Sequence, residues 1–139
     1  ADESADQRRF AVVTIELDAI VPARDRRAAA KRLAQILGVP CSHSAIAPFT
    51  EVYVSDGLTL DFDTAADGFP RLHFCFRMSD AEFDELLARL QSTGIAYRSA
   101  PHGPADYQVN ERHGGRIVYW DEPDDHVWEA LTVSYARRE

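Results

Sequence analysis

The sequence predicts an α+β fold in which two β-α-β-β-β modules form a curved mixed sheet around one cleft. Three observations lead there. Segments rich in Val, Ile and Phe flank two amphipathic segments of helical period. Each half runs in the same order, strand, capped helix, glycine stop, further strands, which is the mark of an internal repeat. The halves also align without gaps where they begin. Asp18-Ala-Ile-Val-Pro-Ala-Arg-Asp25 lies over His73-Phe-Cys-Phe-Arg-Met-Ser-Asp80, and the same offset of 55 brings Gly38 within one residue of Gly94. The modules are expected at residues 10–66 and 67–139, fused as one domain, after a flexible tail of residues 1–9.

The elements follow in order. AVVTIELDAIVP (11–22) is β-branched and closes at Pro22, so it reads as a strand. Asp25 offers an N-cap, and Ala29, Leu33, Ile36 and Leu37 recur at helical spacing, predicting a helix over 26–37 that Gly38 ends. PFTEVYV (48–54) and LTLDFD (58–63) read as strands joined by the turn Ser55-Asp56-Gly57. In the second half, Leu72–Met78 is a strand, and Ser79 or Asp80 caps a helix carrying Phe83, Leu86, Leu87 and Leu90 that stops at Gly94. A short strand is expected at Ile95–Arg98. The stretch from Ser99 to Gly115 holds two prolines and three glycines and reads as loop. The closing hairpin pairs Arg116–Trp120 with His126–Val133 through a solvated turn, Asp121–Asp125.

Bulk properties narrow the function. A formal net charge of −8 disfavours nucleic-acid phosphate and anionic lipid as partners. No apolar run reaches the roughly 20 residues of a membrane helix, and ADESADQRRF has no signal-peptide core. Cys41 and Cys75 stand alone, without a CxxC pattern, so a zinc knuckle or redox motif is not supported and a reducing cytoplasm is the expected compartment.

Alternation along the strands selects the chemistry. His73 faces away from Leu72, Phe74 and Phe76, the residues suited to pack under the helix, and the repeat puts Asp18 at the equivalent position. Glu129 shares a strand face with Val127 and Leu131, where a carboxylate needs a partner. Asp61 lies opposite Leu60 and Phe62 and can approach the same cleft. Asp18, His73 and Glu129 are therefore the candidate metal ligands. One imidazole with two or three carboxylates suits a divalent Fe, Mn, Ni or Zn ion better than a thiolate-seeking one. Each residue also has a plainer role open to it: His73 a hydrogen-bonded strand histidine, Glu129 a strand-edge acid, Asp18 a non-ligand, Asp61 a polar wall. Tyr53 and Tyr107 are candidates for stacking on a planar ligand. His43, His102 and His126 have no metal spacing.

The run Val118-Tyr-Trp-Asp-Glu-Pro-Asp-Asp-His-Val-Trp-Glu129 resembles the closing hairpin of the vicinal oxygen chelate superfamily of glyoxalases, bleomycin-resistance proteins and extradiol dioxygenases. The resemblance covers roughly residues 13–133. His73 and Glu129 match ligand positions of that family. Asp18 stands where its members commonly carry His, and Asp125 where they carry Gly. The resemblance implies that Tyr119 hydrogen-bonds a substrate oxygen and that His113 serves as acid or base; Arg116, entering the same edge of the cleft from the glycine-containing loop, is expected to border the substrate. It implies a metal-dependent, glyoxalase- or dioxygenase-like enzyme acting on a small oxygen-rich substrate, or alternatively a metal-free protein that binds an antibiotic or other small molecule. A homodimer is expected, because two short half-sheets leave open edges.

Overall fold

The structure, a computed structural model, describes residues 13–137. The tail expected at residues 1–9 and the first residues of the opening strand lie outside them. Eight strands and two helices follow: β1 (Leu17–Ala23), α1 (Arg26–Leu37), β2 (Cys41–His43), β3 (Phe49–Ser55), β4 (Leu58–Thr64), β5 (His73–Arg77), α2 (Asp80–Ser92), β6 (Tyr97–Arg98), β7 (Ile117–Trp120) and β8 (Val127–Leu131).

The strands form two mixed sheets of four, ordered β1-β4-β3-β2 and β5-β8-β7-β6. In each, the first strand runs parallel to the last and the other pairs are antiparallel. The fold is thus α+β with one topology used twice. The register is repeated as well. Asp18 lies opposite Thr59 and His73 opposite Val127; two residues further on, Ile20 meets Asp61 and Cys75 meets Glu129. Across the next pair, Glu51 faces Asp61 and Tyr119 faces Glu129. Asp18, Glu51 and Asp61 of the first sheet therefore correspond to His73, Tyr119 and Glu129 of the second.

Both helices form where their caps allow. The Asp25 carboxylate accepts from the Ala28 N–H, and Gly38 closes α1 at φ 71°, a left-handed conformation that glycine adopts without strain. Ser79 and Glu82 make a reciprocal capping box at the start of α2. That helix ends at Thr93, one residue before the expected Gly94, which follows at φ 69°.

One apolar core joins the two modules. Ala30, Leu33 and Ile36 of α1 and Phe83, Leu86 and Leu90 of α2 pack with Val52, Leu60, Phe62, Trp120 and Trp128. Trp128 stacks on Phe74 at 4.7 Å and on Phe62 of the other module at 6.2 Å between ring centroids. Rings of this size contribute both area burial and offset-stacking energy.

Polar contacts from the Asp121–Asp125 turn reinforce the joint. That turn is not simply solvated: Asp124 is buried and accepts the Arg24 N–H at 3.0 Å. His126, to which the sequence assigned no chemistry, is also buried. Its Nδ1 accepts the Leu72 N–H at 3.0 Å and its Nε2 donates to the Pro22 carbonyl at 2.7 Å. That pairing fixes the tautomer and ties the second hairpin to β1. Several elements depart from expectation: β1 begins only at Leu17 and β6 is confined to Tyr97–Arg98. β2 lacks a hydrophobic alternation and was not foreseen, and β8 stops at Leu131 instead of Val133. No helix among the described residues is long and apolar enough to cross a membrane.

Candidate functional site

Each sheet keeps one face on the shared core and turns its acids to the other. On the second sheet the outer face carries Ile117, Tyr119, Val127 and Leu131, a small apolar cluster of its own. Glu129 stands among them, 1% exposed. A carboxylate so deeply buried must be hydrogen-bonded. His73 Nε2 donates to its Oε1 at 2.7 Å, and the Tyr135 hydroxyl donates to Oε2 at 2.7 Å. The Cys75 thiol lies opposite Glu129 on the neighbouring strand; burial first, then the adjacent carboxylate, pushes that thiol up to about 12. Tyr119, directly across the strand pair, is raised above the ordinary phenol range. Burial is the main cause; the Tyr135 hydroxyl opposes it and Glu129 adds to it. Its phenol is therefore a proton donor at neutral pH.

His73 is half-exposed while Glu129 is sealed, so this pair has one face toward solvent. The His73 and Tyr119 rings meet edge-on at 6.4 Å, and His113 meets the Tyr135 ring at 6.2 Å. The structure thus gathers His73, Glu129, Tyr119 and His113 at one place. It adds Tyr135 and Cys75, which the sequence reading left out. Tyr135 lies beyond the closing hairpin, where no periodicity points to a partner.

The remaining candidates lie elsewhere. Asp18 and Asp61 form the equivalent place on the first sheet. Burial and then the negative charges of Asp18 and Glu51 hold the Asp61 carboxyl above the usual carboxylate range. Tyr53 is on that sheet too, donating to Glu51 and bonding Ser42, each at 2.9 Å. Arg116 turns the other way. It bonds Asp84 at 2.6 Å and Asp80 at 3.0 Å and lies over the Phe83 ring. Two carboxylates in the first turns of α2 hold it there, so it does not border His73 and Glu129. Tyr107 packs edge-on against Tyr97, a member of the shared core, at 5.2 Å. Among the described residues, no group of three or more His, Cys, Asp and Glu side chains is arranged to hold a metal ion. The ligand set Asp18, His73 and Glu129 is accordingly divided within one chain, two members on the second sheet and one on the first. The donor types fit a divalent ion, as an imidazole and a buried carboxylate side by side, but one chain supplies them in halves.

Paired βαβββ modules with an acid and an imidazole on the outer sheet faces define the vicinal oxygen chelate class, and the chain belongs to that superfamily. It is 35% identical to a solved structure described as the oxidase ChaP-H1, over 91% of this chain and all of that one, at a TM-score of 0.79. It is 31% identical to the oxidase ChaP-H2, over 93% of this chain and all of that one, at a TM-score of 0.80. A fosfomycin resistance protein, FosX from Listeria monocytogenes, in complex with Mn(II) and a dihydroxypropylphosphonic acid, shares the fold at a TM-score of 0.65 and 15% identity, over 90% of this chain and 96% of that one. No protein-family model and no curated protein matches the chain.

Proposed function

We propose that the protein is a metal-dependent enzyme of the superfamily, of an oxidative rather than a glyoxalase type, acting on a small oxygen-rich substrate. The observation that carries this reading is the buried Glu129 carboxylate held 2.7 Å from Nε2 of His73, with Tyr119 across the strand pair. The direction of the chemistry is supported by two relatives, each about one-third identical, described as oxidases. His73 and Glu129 would hold a divalent ion, Fe, Mn, Ni or Zn. When bound, that ion would act as a Lewis acid for adjacent substrate oxygens.

The chain's own residues do the rest. Tyr119 donates a hydrogen bond to a substrate oxygen. His113 exchanges a proton with the substrate from the loop edge. The apolar Ile117, Val127 and Leu131 exclude water around the acid. Asp18 completes the ligand set and Asp61 and Tyr53 border the substrate when a second copy brings its first sheet against the second sheet of this one. A homodimer is supported by the exposure of Leu17 (60%) and Ile20 (57%) on β1, which is also an unpaired sheet edge.

The test is metal uptake. The wild type is expected to take up one divalent ion per chain and to gain thermal stability from it, and His73→Ala and Glu129→Gln to lose both. Unchanged metal content in both variants would sink the assignment. A metal-free binding protein is the second reading, favoured by one observation: both oxygens of Glu129 are already satisfied by His73 and Tyr135. Tight binding of a planar ligand by wild type that takes up no metal would establish it.

A further inference from the structure

Two side chains hydrogen-bond Glu129, and one of them, His73, stands on its own sheet. The other does not. Tyr135 reaches Oε2 from the segment that follows β8. The segment is shaped to deliver it: the Ser134 hydroxyl accepts the N–H groups of Ala136 and Arg137, each at 3.0 Å, turning the chain directly after Tyr135. The Tyr135 ring also meets that of His113, in the glycine-containing loop, at 6.2 Å between centroids. The segment after β8, the loop and the sheet therefore meet around Glu129.

We propose that Tyr135 is a positioning residue of the site: by holding Oε2 of Glu129, it leaves Oε1 alone to act together with Nε2 of His73. The proposal rests on the metal reading above for its consequence and on the hydrogen bond alone for its geometry. A carboxylate with one oxygen tethered offers a single donor in a fixed direction, and outer partners of this kind typically account for 10–100-fold in metal affinity. Freed from the tether, the carboxylate can rotate or bring both oxygens to one ion, which changes coordination as well as affinity.

Tyr135→Phe keeps the ring and its packing on His113 and removes only the donor. Titrated with Co(II), the variant is expected to bind about 10- to 100-fold more weakly than wild type, with an altered visible spectrum. Equal affinity and an identical spectrum would overturn the proposal. A second measurement needs no metal. Amide hydrogen exchange across residues 132–137 is expected to speed up in both Tyr135→Phe and Glu129→Ala, because each removes one end of the same tether. Exchange unchanged in both would overturn the proposal even if the wild type bound metal. Faster exchange in both, in a protein that takes up no Co(II), would leave the tether standing and retire only the metal reading.

Discussion

A carboxylate with 1% of its surface exposed survives in a folded protein only when its neighbours replace the water it has lost. Glu129 has such neighbours in His73 and Tyr135. Its counterpart Asp61 has acids instead, and the difference is testable. The folded-state pKa of Asp61 lies above that of the unfolded chain, chiefly through desolvation and then through Asp18 and Glu51. The native state therefore holds this proton more tightly than the unfolded one. Ionisation disfavours folding at pH values above the folded pKa, and no penalty remains below the unfolded value of about 3.9. Asp61→Asn is expected to raise stability at pH 7 by a few tenths of a kcal/mol, within the ±0.5 kcal/mol usual for largely exposed sites, and to change nothing at pH 3. Thermal melts of both proteins across that range decide it; a variant less stable at pH 7 would show that Asp61 is held by attraction, not repulsion. Strand alternation made His73, Asp61 and Glu129 legible in the sequence, because period two assigns a face whatever the tertiary context. It could not locate Arg116 or Tyr135, whose long side chains choose partners by distance in space.

At the scale of elements, caps and turns were the readable features and weak edge strands were not. Asp25, Gly38 and Ser79 act through backbone groups a few residues away, so a local sequence contains the whole interaction. β2 is three residues long and exposed throughout, formed by pairing with β3 and not by any preference of Cys41-Ser42-His43. The β7–β8 turn lies between these cases. Asp125 adopts φ 62°, a left-handed conformation, at the position where the superfamily commonly has glycine. Asp tolerates that region and a β-branched residue does not. Asp125→Gly is expected to leave stability within about 0.5 kcal/mol of wild type, while Asp125→Val loses about 1–2 kcal/mol. Urea denaturation measures both. Equal losses would mean that the Asp125 side chain, rather than its backbone angle, holds the turn.

Across the whole molecule, the shared core of Phe62, Trp128 and both helices sets what each sheet can do with its free face. Asp18 and His73 occupy equivalent positions yet are not grouped in one chain. If a second copy unites them, two defective chains can repair each other. Asp18→Asn and His73→Ala homodimers should each bind little metal. After unfolding and refolding together, each mixed dimer should regain close to one site, half the wild-type number, since one of its two sites then has every ligand. No recovery in mixed dimers verified by mass would show that all ligands of a site belong to a single chain. The fold class was legible because the repeat is written in sequence order. The pairing of faces was not, because nothing in a linear pattern says which copy an outward face will meet. The repeated register has one more consequence. In a pair of separate, identical modules, any substitution would appear twice, once at each symmetry-related position. Fusion of the two modules into one chain breaks that constraint. The Asp18-Glu51-Asp61 face could remain wholly acidic while the His73-Tyr119-Glu129 face acquired an imidazole and a phenol, so duplication made each half free to vary alone.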